Sequence, residues 1–171
     1  TVSSTFNFIA VLNDAPVLTH NTLAFNTISN SGIAPTGAVG TLVSGLVGGV
    51  TDADTGAVKG IAITGVDTTK GSLWYSTNGG TNWTVVSSVS DSNAFLLASD
   101  SDNRVFFQPT VGATIAVPTA MTFRAWDQTS GVEASYVDTS SNGGRTAFSS
   151  STDTVSQSLT VAVVVLTGAI N

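Results

Sequence analysis

Six of the chain's aspartates stand at spacings or positions that could hold a cation. Asp52 and Asp54 are separated by one residue and followed by Gly56, and Asp100 and Asp102 repeat that D-x-D spacing. Asp14 lies in Asn13-Asp14-Ala15-Pro16, directly after an alternating stretch, and Asp127 closes Thr122-Phe123-Arg124-Ala125-Trp126-Asp127. Calcium takes six to eight hard oxygen ligands from carboxylates, carbonyls and amides, and a D-x-D turn can aim two carboxylates at one point. Asp in a turn also bonds its own backbone, so either pair alone serves both readings. The coexistence of three kinds of acidic element in one short chain favours the metal. The rest of the catalytic inventory is thin: one His, no Cys and one Glu. His20 has no second His for a transition-metal pair and reads as a surface residue. No Ser–His–Asp grouping emerges, and no cleft is marked for the carboxyl pair about 5–5.5 Å apart that a retaining glycosidase needs. The expectation is a non-catalytic protein.

The elements that must position these side chains are strands. Charged residues make up 9% of the 171 residues, against about 25% in an ordinary domain, which disfavours helical bundles and coiled coils. Period-two alternation marks Phe6, Phe8, Ala10 and Leu12 on one face, then Thr22–Ile28, Ala38–Val43, Val58–Thr64, Ser72–Ser76, Trp83–Ser87, Ala94–Leu97, Arg104–Gln108, Met121–Asp127 and Val155–Leu166. Turn chemistry at Asp52–Gly56, Asn78–Gly80, Asp100–Asn103 and Asn142–Gly144 separates them, and Val43–Val50 has room for one helical turn. Short strands at such spacing predict an all-β antiparallel sandwich. Five Lys and Arg against eleven Asp and Glu leave no basic footprint for nucleic acid, and the longest apolar run, Val161 to Leu166, is far short of the ~20 residues of a membrane span. Zero cysteine settles no compartment.

Thr1-Val2-Ser3 recurs as Thr154-Val155-Ser156, each opening an alternating strand. The expectation is a tandem array: residues 1–15 form the closing strand and linker of a preceding module, or an edge strand of this one, and residues 16–171 form one module. A segment cut from a longer polypeptide is expected, with neighbouring modules as partners and a monomeric state.

Asn13-Asp14-Ala15-Pro16-Val17-Leu18 resembles the inter-domain linker of cadherin-like repeats in giant bacterial surface adhesins of the RTX type. Asp52-Ala53-Asp54-Thr55-Gly56 is similar to the D-x-D turn of those repeats, and Phe123-Arg124-Ala125-Trp126-Asp127 to their A-x-D strand. Residues 50–149, with Gly71-Ser72-Leu73-Trp74-Tyr75-Ser76, also look like a recurrent module of such proteins. The resemblance implies an extracellular, cadherin-like or Ig-like sandwich with Ca²⁺ at its junctions, serving as a spacer or scaffold in adhesion. It carries to Asp14, Asp52, Asp54 and Asp127 only; Asp100 and Asp102 form a separate candidate cluster that rests on their spacing. Two departures stand out. The module exceeds the roughly 100 residues of a plain Ig-type sandwich, and Thr167-Gly168-Ala169 replaces a second N-D-A-P, which implies either a C-terminal junction without calcium or a sandwich interrupted by an inserted ligand-binding domain.

Ser76-Thr77-Asn78-Gly79-Gly80-Thr81-Asn82-Trp83 resembles an Asp-box hairpin with Asn at the acid position. One copy makes no propeller, so a stable turn with the Trp packed beneath is expected. Trp74 and Tyr75 are adjacent in a strand and face opposite ways, which leaves one of them, Tyr75 for example, as a platform for a surface glycan. A carbohydrate-binding module is therefore the alternative function. Asn82-Trp83-Thr84 is a glycosylation sequon only in a host that uses it, and the Ser/Thr-rich run Ser135–Asp153 reads as a mobile loop or ragged hairpin.

Overall fold

The structure, a computed structural model, describes residues 12–29, 32–113 and 115–160. The alternating stretch at the start, apart from Leu12, and the end of the strand expected at Val155–Leu166 lie outside these residues, and so does the pairing of the first strand. The described residues form strands β1 (Val17–Leu18), β2 (Leu23–Ala24), β3 (Ile28–Ser29), β4 (Thr41–Leu42), β5 (Val50–Thr51), β6 (Gly60–Val66) and β7 (Gly71–Ser76). They continue with β8 (Thr84–Val85), β9 (Ala94–Ala98), β10 (Arg104–Pro109), β11 (Val117–Trp126), β12 (Tyr136–Val137), β13 (Phe148–Gln157) and β14 (Leu159–Thr160). The helical turn is a short 3-10 segment at Val43–Gly45.

A six-stranded sheet runs β12-β9-β6-β11-β13-β2 and a four-stranded sheet β4-β10-β7-β8, with two small pairs, β1-β5 and β14-β3. Ile61, Ile63, Phe95, Phe123 and Val155 of the larger sheet share one core with Leu73, Val105 and Phe107 of the smaller, and Val43, Leu46 and Val47 belong to the same core. The described chain is thus nearly all-β, consistent with a β-sandwich. It is not wholly antiparallel. β2 pairs with β13, and β3 with β14, in parallel register. The Phe25 N–H donates to Ser156 O at 2.8 Å and the Gln157 side-chain amide to Asn26 O at 3.0 Å. Such pairing joins strands far apart in the sequence and needs no hairpin, so turn chemistry does not announce it.

The run 135–153 is a second correction. β12 and the first half of β13 lie in it, and the rest is tied down. The backbone N–H and hydroxyl of Thr139 both donate to Asp91 O, at 2.7 and 2.8 Å. Arg124, itself buried, donates to Asp91 Oδ1 and to Ser149 O and Ser150 O. This segment covers the outer face of the six-stranded sheet, where Ala62, Ala94, Leu96, Trp126, Ala147 and Phe148 form a second apolar cluster. Hence Gly60–Ile63 are buried on both faces instead of alternating.

The expected Asp-box hairpin is built from hydrogen bonds within the turn. Ser76 Oγ accepts from the N–H groups of Asn78 and Gly80, and Asn78 Oδ1 accepts from the Asn82 N–H. Gly80 has φ +97°, and a Cβ there would stand 2.1 Å from Gly37 O, so only glycine fits. Trp83 donates to Gly37 O and meets Phe106 edge-on at 6.2 Å.

β13 buries an acid. The Asp153 side chain is 3% exposed and its Oδ1 lies 3.0 Å from Nδ1 of the exposed His20. Burial works to raise the Asp153 carboxyl. Hydrogen bonds from the Asn21 N–H, His20 and the Thr154 N–H, with the charge of His20, outweigh burial and hold it below the ordinary value. In acid the unfolded chain therefore binds the extra proton, and the stabilisation is full above the unfolded value near 3.9 and fades as pH falls through the lower folded one. Asp153→Asn is expected to flatten the acid limb of stability, so that urea midpoints of wild type and variant converge below about pH 4. A constant gap from pH 7 to pH 3 would contradict this account.

Candidate functional site

Trp126 ends β11 and donates from Nε1 to Ser130 O at 2.7 Å, which turns the chain over directly behind Asp127. Asp127 is 2% exposed. Its Oδ1 accepts from the Thr129 N–H at 2.8 Å and hydroxyl at 2.6 Å, and its Oδ2 from the Asn13 side-chain amide at 2.8 Å. The same amide donates to Thr146 O, and the Ala15 N–H to Gly144 O. The Asn13–Ala15 segment is thereby seated on the sheet end that carries Asp127.

The Asp52–Gly56 turn meets the segment from the other side. Asp52 Oδ1 accepts from the Asp54 N–H at 2.9 Å, Gly56 adopts φ +81°, and Asp54 Oδ2 accepts from the Asp14 N–H at 2.8 Å. Asn13, Asp54, Asp127 and Thr129 line one hollow of about 370 Å³ beside residues 55–58. Asp14 contributes its backbone N–H to this junction, and the residue is exposed at the rim. The linker segment thus contacts Asp127 through the Asn13 side chain and Asp54 through the Asp14 N–H, and Asp54 and Asp127 line the same hollow.

Among the described residues no three Asp, Glu, His or Cys side chains are grouped as a metal-binding set. The junction does hold one orphan: Asp52 Oδ2 is buried with no hydrogen-bond partner. A buried carboxylate oxygen without a donor is a condition that an ion or a water relieves. The hollow lined by Asp54, Asp127, Asn13 and Thr129 offers carboxylate, carboxamide and hydroxyl groups, the chemistry that suits calcium or magnesium rather than a softer metal. In donor type, Asp54 and Asp127, with the unpaired Asp52 oxygen in the same turn as Asp54, suit a hard cation.

Asp100 and Asp102 behave differently. Asp100 Oδ1 accepts from the N–H groups of Asp102 and Asn103 at 2.9 and 2.7 Å, so it closes its own turn. Asp102 is exposed and offers its carbonyl to the Gly79 N–H. The partners that sequence reasoning passed over are the Asn13 side chain, Thr129, Asn103 and Glu133. Asn13 and Thr129 flank motifs already singled out; Glu133 sits in a loop with no local pattern to mark it.

The aromatic rings also sort by face. Tyr75 turns inward against Phe95, with centroids 4.5 Å apart, so it is not the exposed platform that adjacency in a strand allowed. Trp74 is the outward ring, opposite Phe106 in the β7–β10 register, and its Nε1 donates to Gln108 Oε1 at 2.8 Å.

Comparison of the chain with family models, with curated proteins and with solved structures finds no match. Among the described residues no helix is long and apolar enough to cross a membrane.

Proposed function

We propose that the chain is a non-catalytic, calcium-stiffened structural module of a large bacterial cell-surface adhesin, with a cadherin-like or Ig-like sandwich and an extracellular location. The observation that carries the reading is the junction itself: the Asn13–Asp14 linker bonds to Asp127 and Asp54, beside a buried Asp52 oxygen that lacks a partner. Calcium would be held there by Asp52, Asp54 and Asp127, with Asp14 and Asn13 from the linker. The ion supplies a divalent positive charge shared among carboxylates. Without it, acids from three separate segments repel one another at the point where the linker meets the sheet end. Neutralised, they fix the direction in which the linker leaves, and an array of such modules becomes a rod. The neighbouring modules are the partners this role requires.

Calcium titration followed by calorimetry tests the reading. Uptake in the ~10⁻⁴–10⁻³ M range of extracellular modules is expected, with one binding event lost in Asp54→Asn, a near-isosteric change that removes only charge. Identical uptake in variant and wild type would overturn the junction as the site.

A second reading, a carbohydrate-binding module, draws on the outer-face rings of Trp74, Phe106 and Trp83. Saturable binding on a glycan array would favour it over the spacer role; silence from a folded protein removes it.

A further inference from the structure

The two ends of the sandwich expose different chemistry. β11 and β13 pair from Trp126 and Phe148 at the junction end to Val117 and Gln157 at the far end, the tip. At the tip Val111, Ile33 and Ile115 are 75%, 70% and 67% exposed. The backbone at Gly32 lies against the Val111 side chain, and Val111, Ile115 and Val117 line a hollow of about 310 Å³ with Thr69 and Lys70. Apolar side chains gathered and exposed in this way mark a contact surface, unlike ones scattered singly. Lys70 is exposed and, among the described residues, pairs with no acid. Asp67 is taken up by the N–H and hydroxyl of Thr69. At the junction end exposed Val58 lies on the wall of two hollows, lined between them by four acids, Asp54, Asp127, Asp100 and Glu133, and one base, Lys59. Leu12, next to the seated Asn13, is exposed there too, as is Asp14, which has no ion-pair partner among the described residues.

We propose that these ends are the two halves of a head-to-tail contact between copies of this chain: the Val111 and Ile115 hollow of one seats the Val58 rim of the next, with Lys70 facing the acids. The partner is a second copy, and in that the inference rests on the tandem-module reading. Charge decides against a tip-to-tip pair. Two tips bring Lys70 against Lys70, whereas tip and junction end bring Lys70 to a surface where acids outnumber bases. A heterologous contact of this kind does not close on itself, so each added copy leaves a free tip for the next. The contact can be weak and still serve. Joined by a short linker, the next module is present at an effective concentration on the order of 1 mM. A dissociation constant in that range holds the ends together in an array and leaves the free chain monomeric at micromolar concentration.

The test is sedimentation equilibrium of the full chain in chelator, so that calcium plays no part. Over a series reaching about 1 mM, the weight-average mass is expected to keep rising with concentration instead of levelling at a dimer. Val58→Asp and Ile115→Asp change exposed side chains and should leave the fold intact. Each alone is expected to stay monomeric. Their equimolar mixture is expected to stop at dimers, because each pair holds one intact tip and one intact junction end. Lys70→Glu is expected to weaken association about threefold or more. A constant mass for the wild-type chain, association of either aspartate variant alone, a mixture that stays monomeric, or indifference to Lys70→Glu each overturns the contact. Calcium uptake by a chain that does not associate overturns the contact and leaves the calcium junction standing; association of a chain that takes up no calcium does the reverse.

Discussion

Trp126→Ala is expected to destabilise the fold by about 3–5 kcal/mol, the range for truncating a large buried aromatic. Trp126 is 2% exposed and lies in the apolar cluster with Ala62, Leu96 and Phe148, between the six-stranded sheet and the segment that covers it. Its register partner is Gly60, where a Cβ would stand 2.7 Å from the indole ring and 2.7 Å from Leu97 O. The glycine lets the ring lie flat on the sheet, and no small side chain is available to refill the space when the ring is removed. Its Nε1 also holds Ser130 O, and so shapes the loop that presents Asp127 on one side and Glu133 on the other. Trp126→Phe separates the two roles. It keeps most of the packing and leaves the Ser130 carbonyl without its donor, at a cost of about 1–3 kcal/mol. Urea unfolding followed by the fluorescence of Trp74 and Trp83 checks both substitutions. Against a total stability of about 5–15 kcal/mol, an alanine variant within 1 kcal/mol of wild type would mean that residues 127–147 do not pack on the sheet as described.

The strands that were legible in the sequence are those whose alternation is written in apolar residues. β7, β9 and β10 fall where Leu73, Phe95, Val105 and Phe107 point inward and the turns carry Asn-Gly or Asp-x-Asp. β13 was half missed because its inward positions include Ser149, Asp153 and Gln157, each buried and each hydrogen-bonded. A polar residue satisfied inside the fold looks, in sequence, like one in a loop. Hydrogen bonds also hid the cover over the second face, which is tied down by Arg124 and Thr139 and adds only Ala147, Phe148 and Val137 to the apolar cluster. At the junction, the sequence marked Asp14, Asp52, Asp54 and Asp127 as one set through motif resemblance. In both D-x-D turns the first aspartate accepts the N–H of the second, so in each the spacing closes a turn. Asp54 and Asp127, from segments far apart in the chain, line the same hollow, and that is a property of the topology.

Calcium at a hundred times its dissociation constant is expected to raise the melting temperature by about 5–11 °C over the same protein in chelator. The size follows from mass action. An ion that binds only the folded chain adds about 2.7 kcal/mol per site at that concentration, and a domain of 150–250 residues gains about 2–4 °C per kcal/mol. The sign follows from the junction. Unfolded, Asp127 is separated by many residues from the Asp52–Asp54 turn and the three hold calcium little better than free carboxylates; folded, Asp54 and Asp127 line one hollow, and Asp52 Oδ2, in the same turn as Asp54, is buried and unpaired. Two controls isolate the coordination from general screening. Sodium chloride acts on exposed ion pairs over a Debye length of about 10 Å at 0.1 M, and with only 9% charged residues the chain has few pairs to lose, so salt is expected to move the curve less than calcium does. Magnesium is smaller, demands near-octahedral geometry and gives up its waters reluctantly, so a flexible set of carboxylates drawn from a linker, a turn and a strand end should favour the larger ion. Superimposable curves in chelator and in millimolar calcium, or equal shifts with magnesium, would remove the stiffening role and leave the Asp127 and Asp54 contacts as ordinary caps on the linker.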